Sequence, residues 1–160
     1  MSQEVQARKI QDRLKEMGVT LPRPAAPAAN YVPFVLSGSS LYISGQLPAR
    51  DGVMVKGCLG KDVTVEQGQE AARLCAVNIL AQVSAALGGD LGRIVRCVKL
   101  GGFVASTPEF FDQPKVVNGA SDFIVAVLGD AGKHARAAVG VAALPLGVAV
   151  EVDAVFEVAA

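Results

Sequence analysis

The sequence predicts an α+β domain in which a mixed sheet carries helices on one face. Three observations predict it: a strictly alternating C-terminal segment, two long apolar periodicities of helical spacing, and short β-prone runs between and around them. From Val148 onward, Val148, Val150, Val152, Ala154, Phe156 and Val158 face one way. Ala149, Glu151, Asp153, Val155 and Glu157 face the other, because successive strand residues point to opposite sides of a sheet. One side of this strand must pack on a core, and the other carries three carboxylates.

The remaining elements follow in chain order. Gln3 to Met17 sets Ile10, Leu14 and Met17 along one stripe of a short amphipathic helix, and Gly18 supplies its stop. The following LPRPAAPAAN has three prolines, which fix φ and remove backbone donors, so it reads as an extended connector. Tyr31 to Leu36 and Leu41 to Ser44 read as a hairpin turned by Ser37, Gly38, Ser39 and Ser40, with a third strand at Gly52 to Val55.

Thr64 and Gln67 fit a capping box that opens a helix of about 24 residues. Ala76, Leu80, Val83 and Leu87 share one face of it, and Gly88-Gly89 ends it. Ile94 to Leu100 reads as a strand, Val116 to Leu128 as a second long helix, and Arg136 to Ala142 as another strand. The glycine pairs of LGGD and LGGF read as caps and bends. The order is βββαβαββ, with residues 1–29 forming a helix and connector and 30–160 a single domain. Helices on one face leave the other sheet face for a partner, and stable pairing needs about 1,200 Å² or more, so a homo-oligomer is expected.

Composition narrows the function classes. Hydrophobic residues make up 51% of the chain but aromatics only 5%, so the core must be filled by small and β-branched side chains. Fifteen basic residues balance fifteen acidic ones, leaving no net field toward nucleic acid or an anionic membrane. Cys58, Cys75 and Cys97 form no CxxC pair and read as reduced, mostly buried thiols. The start of the chain has no apolar signal region, and Pro145 and Gly147 break the longest apolar stretch, so a cytoplasmic protein is expected. The single histidine, His134, has no metal-ligand spacing and reads as a solvated loop residue without a role. GxSxG, GxxxxGK[ST] and GxGxxG do not occur, so serine hydrolase, P-loop and dinucleotide chemistry lack their geometry.

What remains is the run HARAAVGVAALPLGVAVEVDAVFEV, with Arg136 at the start of one strand and Glu151 midway along the next. On its own, such a pair on neighbouring strands also reads as a structural ion pair, and Glu151, Asp153 and Glu157 also read as a solvated or interfacial face. The run resembles the RidA/YjgF family of reactive-intermediate deaminases in Arg136, the Leu144-Pro145 turn, Glu151, Asp153 and Ala154. SSLYISGQLPA resembles the family's first hairpin through Ser44, Gly45, Gln46, Leu47 and Pro48. That alignment puts Tyr31 on the family's active-site tyrosine, and a weaker match puts Asn118 on the asparagine that opens its second helix.

The resemblance implies a chorismate-mutase-like homotrimer with a central barrel and ligand clefts between subunits. It implies hydrolysis of 2-imino (enamine) carboxylic acids to 2-keto acids and ammonia, with no metal or organic cofactor. Arg136 would bind the substrate carboxylate and Glu151 would orient or activate water. Backbone N–H groups near Gly45 and Ala138 would complete the binding, Tyr31 would close the pocket, and Asn118 reads as a cap or hydrogen-bond anchor. The chain departs from the family pattern at Ala138, where many deaminating members have cysteine, and in its helix and connector before Asn30, which mark an outlying branch. The alternative is a non-catalytic module that binds small carboxylates. The family's older label of ribonuclease or translation inhibitor finds no basic and aromatic stripe in this sequence.

Overall fold

The computed structural model describes residues 1–24 and 29–160. The middle of the expected connector, residues 25–28, lies outside the described residues. Helix α1 spans Gln3–Glu16, β1 Phe34–Ser37, β2 Ser40–Gln46, β3 Ala49–Arg50, β4 Val53–Met54, α2 Val65–Ala86, β5 Ile94–Ala105, α3 Gln113–Leu128, β6 Ala135–Val141 and β7 Val150–Val158. Five strands form one mixed sheet in the order β1-β2-β7-β5-β6, in which only the β5-β6 pair is parallel.

The C-terminal alternation sets up the packing. Val150, Val152, Ala154, Phe156 and Val158 are buried, and Glu151, Asp153, Val155 and Glu157 are half-buried on the opposite face. Each inward Val or Phe contributes about 1.5–3 kcal/mol by leaving water. Helices α2 and α3 lie over the inward face, α2 against β7 and β2, α3 against β5 and β6. The face turned away from the helices exposes Val35, Tyr42 and Val139.

The capping box of α2 is reciprocal: Thr64 Oγ1 accepts from the Gln67 N–H at 3.1 Å, and Gln67 Oε1 accepts from the Thr64 N–H at 2.9 Å. Ala76, Leu80, Val83 and Leu87 are all buried, as their spacing predicts. Ile10 and Leu14 of α1 are buried in the same core. Cys75 and Cys97 are buried free thiols, both pushed up by burial, Cys97 to about 12. No helix among the described residues is long and apolar enough to cross a membrane.

Three differences from the sequence expectations have physical causes. The third strand, β4, pairs with β3 in a separate two-stranded ribbon, so among the described residues the main sheet has five strands. Strand β5 runs five residues beyond Leu100, through the glycines of LGGF, which mark close approach and not a bend. A Cβ on Gly101 would collide with the Asp153 carboxylate, and one on Gly102 would stand 2.5 Å from Val117 Cγ2 of α3. Helix α3 starts at Gln113, because Pro114 fits its first turn, where no N–H is needed.

Candidate active site

Glu151 lies on the uncovered sheet face, opposite Phe103 of β5. Its other neighbour, β2, carries a bulge: Ile43 pairs with Ala154 and Gln46 with Val152, so β2 advances three residues while β7 advances two. The Ser44-Gly45-Gln46 triplet makes this bulge possible. The Ser44 N–H donates to Pro33 O at 3.0 Å and its Oγ to Val32 O at 2.7 Å, which fastens the chain just after Tyr31. Gln46 is buried, and its Nε2 donates to the freed Ser44 carbonyl at 2.9 Å. Gly45 leaves its side-chain space to Glu151, whose Oε2 would lie 2.8 Å from a Cβ there.

Tyr31, Ser44 and Gly45 line a cavity of about 820 Å³ together with residues of α2 that include Leu74 and Val77. Glu151 meets this group through Gly45 and does not itself line the cavity; its carboxyl is held above the usual carboxylate range, first by burial and then by the neighbouring Asp153 charge. Asp153 is raised as well, again by burial, with the Gly101 N–H and Lys99 opposing the shift. A carboxyl raised in this way is suited to take up and return a proton.

A second cluster lies on the helix side. Arg136 pairs with Leu100 of β5, a buried residue that faces the helices, whereas Glu151 pairs with Phe103, three residues further on and so on the opposite face. The Arg136 guanidinium turns onto α3: Nη1 donates to Asn118 Oδ1 at 2.8 Å and to Ser121 Oγ at 3.1 Å, and Nη2 reaches Pro114 O at 3.5 Å. Ala138 pairs with Gly102 and is half-buried on the same helix-facing side of β6. Among the described residues β6 is the last strand of the sheet, so one side of its backbone, including the stretch from Arg136 to Ala138, has no strand neighbour there.

The six residues singled out from sequence therefore fall into two groups, Tyr31, Gly45 and Glu151 in one, and Asn118, Arg136 and Ala138 in the other. Arg136 and Glu151 are not on neighbouring strands as expected, because β5 lies between β6 and β7. Asn118 does not open α3; it sits five residues after Gln113 and serves as the anchor for Arg136.

Sequence reasoning passed over two residues. Ser121 follows Asn118 by three positions, a helical spacing that puts both on one face of α3. His134, expected to be solvated, is half-buried, with Nε2 2.9 Å from Ser121 Oγ and Nδ1 2.6 Å from Gly132 O. Its place two residues before Arg136, on the same side of an extended chain, was the available signal.

Residues 11–157 match the family described as "YjgF/chorismate mutase-like, putative endoribonuclease". Protein TCP17 of Trypanosoma cruzi is 53% identical over 151 residues, covering 93% of this chain and 94% of that protein. Among solved structures, the chain is similar to Atu1372 of Agrobacterium tumefaciens, a protein of unknown function, at 56% identity and a TM-score of 0.92 over 98% of this chain and 96% of that one. E. coli TdcF, solved with bound serine, shares the fold at 24% identity and a TM-score of 0.62 over 86% of this chain and 94% of that one.

Proposed function

This chain belongs to the YjgF/chorismate mutase-like (RidA) family, in an outlying branch with TCP17 and Atu1372, and on that premise we propose that it hydrolyses reactive 2-imino (enamine) carboxylic acids to 2-keto acids and ammonia in clefts between subunits. The observation that carries this reading is the separation of Arg136 and Glu151 onto opposite faces of one sheet. A cleft that uses both forms when Arg136 of one subunit meets Glu151 of the next, and the exposed Val35, Tyr42 and Val139 give the uncovered face the apolar surface for such an assembly. The trimer of the family suits this arrangement.

The chemistry needs little machinery. The Arg136 fork holds the substrate carboxylate, and a protonated imine carbon is already electrophilic. Water adds to that carbon while Glu151 accepts its proton, forming a C–O bond and moving the π electrons of the C=N bond onto nitrogen. Glu151 then returns the proton to the amine nitrogen. The C–N bond breaks, ammonia leaves, and loss of the hydroxyl proton gives the keto acid. Asn118 holds Arg136, backbone N–H groups near Gly45 and Ala138 complete the binding, and Tyr31 closes the pocket. No metal or cofactor takes part, and the setting is cytoplasmic.

A second reading, a module that binds small carboxylates without turnover, draws support from Ala138, which stands where many deaminating members have cysteine, and from the serine bound to TdcF. One experiment separates the two. 2-Iminobutanoate is generated with an amino-acid oxidase, and semicarbazone trapping is followed with wild type, Arg136→Ala, Glu151→Gln and the two variants co-expressed. Wild type suppresses trapping and each single variant does not. Co-expression restores about a quarter of the clefts, since each needs one subunit of each kind in the right order. Tight binding of 2-oxobutanoate with no suppression by wild type selects the binding module instead.

A further inference from the structure

We propose that His134 is a positioning residue for Arg136, acting through the Ser121 hydroxyl to hold the guanidinium with one edge free for a carboxylate. This rests on the reading of Arg136 as the carboxylate-binding group. The hydrogen bonds run in one direction. The Gly132 carbonyl can only accept, so the His134 Nδ1 at 2.6 Å carries the hydrogen. In the neutral ring Nε2 then has a lone pair, which accepts the Ser121 O–H at 2.9 Å. With its hydrogen turned toward the histidine, Ser121 Oγ presents a lone pair to Arg136 Nη1 at 3.1 Å. The chain therefore runs from Arg136 N–H to Ser121 O–H to His134 Nε2, and from His134 Nδ1–H to the main chain.

This order decides which part of Arg136 remains available. Nη1 has two hydrogens, and Asn118 Oδ1 and Ser121 Oγ take one each. Among the described residues, Nη2 makes only the long contact to Pro114 O at 3.5 Å. The edge formed by Nε–H and Nη2–H is thus left as the two-pronged donor, a geometry that matches the two oxygens of a carboxylate. Without the histidine acceptor, the Ser121 hydroxyl is free to rotate its hydrogen toward Nη1. The guanidinium then loses one of its two side-chain anchors on α3.

His134 is the only histidine in the chain, so its ring nitrogens are an unambiguous reporter. In wild-type protein at neutral pH, long-range 1H-15N correlation NMR reads the Nδ1–H tautomer; the Nε2–H tautomer overturns the proposal. Ser121→Ala and His134→Leu each raise KM for 2-iminobutanoate, and weaken 2-oxobutanoate binding by calorimetry, about tenfold with kcat within about twofold, the pattern of lost substrate positioning. His134→Gln, whose amide oxygen can accept from Ser121, restores most of that loss. If Arg136→Ala abolishes binding while Ser121→Ala and His134→Leu leave KM unchanged, His134 has no positioning role although the carboxylate reading stands. If Arg136→Ala changes neither binding nor turnover, the carboxylate reading itself fails and the positioning role falls with it.

Discussion

Gly45 and Glu151 share one space: the Glu151 Oε2 occupies the position that a Gly45 side chain would need, 2.8 Å from where its Cβ would stand. Gly45→Ala therefore forces the carboxylate out of its place beside the β2 bulge. The expected result is at least a tenfold loss of imine hydrolysis and, as an overpacking change, a stability loss of about 1–3 kcal/mol by chemical denaturation.

The raised Glu151 carboxyl makes stability depend on pH in a defined direction. Its folded pKa lies above its unfolded one, so the folded state holds the proton more tightly. The associated stability is present below the usual carboxylate value and is lost as pH rises through the folded value. Glu151→Gln removes the cost of ionising this partly buried group. The denaturation midpoint of the variant should exceed that of wild type at pH 7, and the advantage should disappear at pH 4, while turnover is lost at both.

Tyr42 is 49% exposed on the uncovered sheet face, opposite Val155 of β7. Tyr42→Asp places a charge where an apolar partner surface is expected. Light scattering coupled to size exclusion should show a smaller assembly, circular dichroism should keep the wild-type helix content, and imine hydrolysis should fall with the assembly. A variant that remained assembled and active would show that Tyr42 is not at the contact.

Thr64→Ala removes one half of the capping box of α2 and leaves the Gln67 N–H without its side-chain acceptor. The expected cost is about 1 kcal/mol of unfolding free energy. Turnover at a temperature where the variant is folded should be unchanged, because the side-chain hydrogen bonds of the cap run only between Thr64 and Gln67 and reach no residue assigned to the site.

Local patterns carried much of the fold into view. The alternation after Val148 gave the buried and open faces of β7 residue by residue, apart from Ala149. That residue precedes β7 and is buried where its N–H donates to Val55 O and its carbonyl accepts from Ala105. Thr64 with Gln67 located the start of α2, and Gly18 and Gly88-Gly89 located helix ends, because caps and periodicity act within a few residues of one another. The LGGF glycines were misread because their reason lies in other elements, in Asp153 of the neighbouring strand β7 and Val117 of α3.

The site divided along the same line. The sequence by itself determined which groups were available, a lone arginine at the head of one strand and a carboxylate inside the next, and the resemblance to a family attached roles to them. Strand order was beyond its reach, because β5 enters between β6 and β7 through long-range pairing that no local spacing encodes. Only the tertiary structure put Arg136 and Glu151 on opposite faces, gave Arg136 its anchors on Asn118 and Ser121, and brought His134 to Ser121. Side-chain hydrogen bonds between elements depend on which faces meet, and that is decided when the sheet and helices pack.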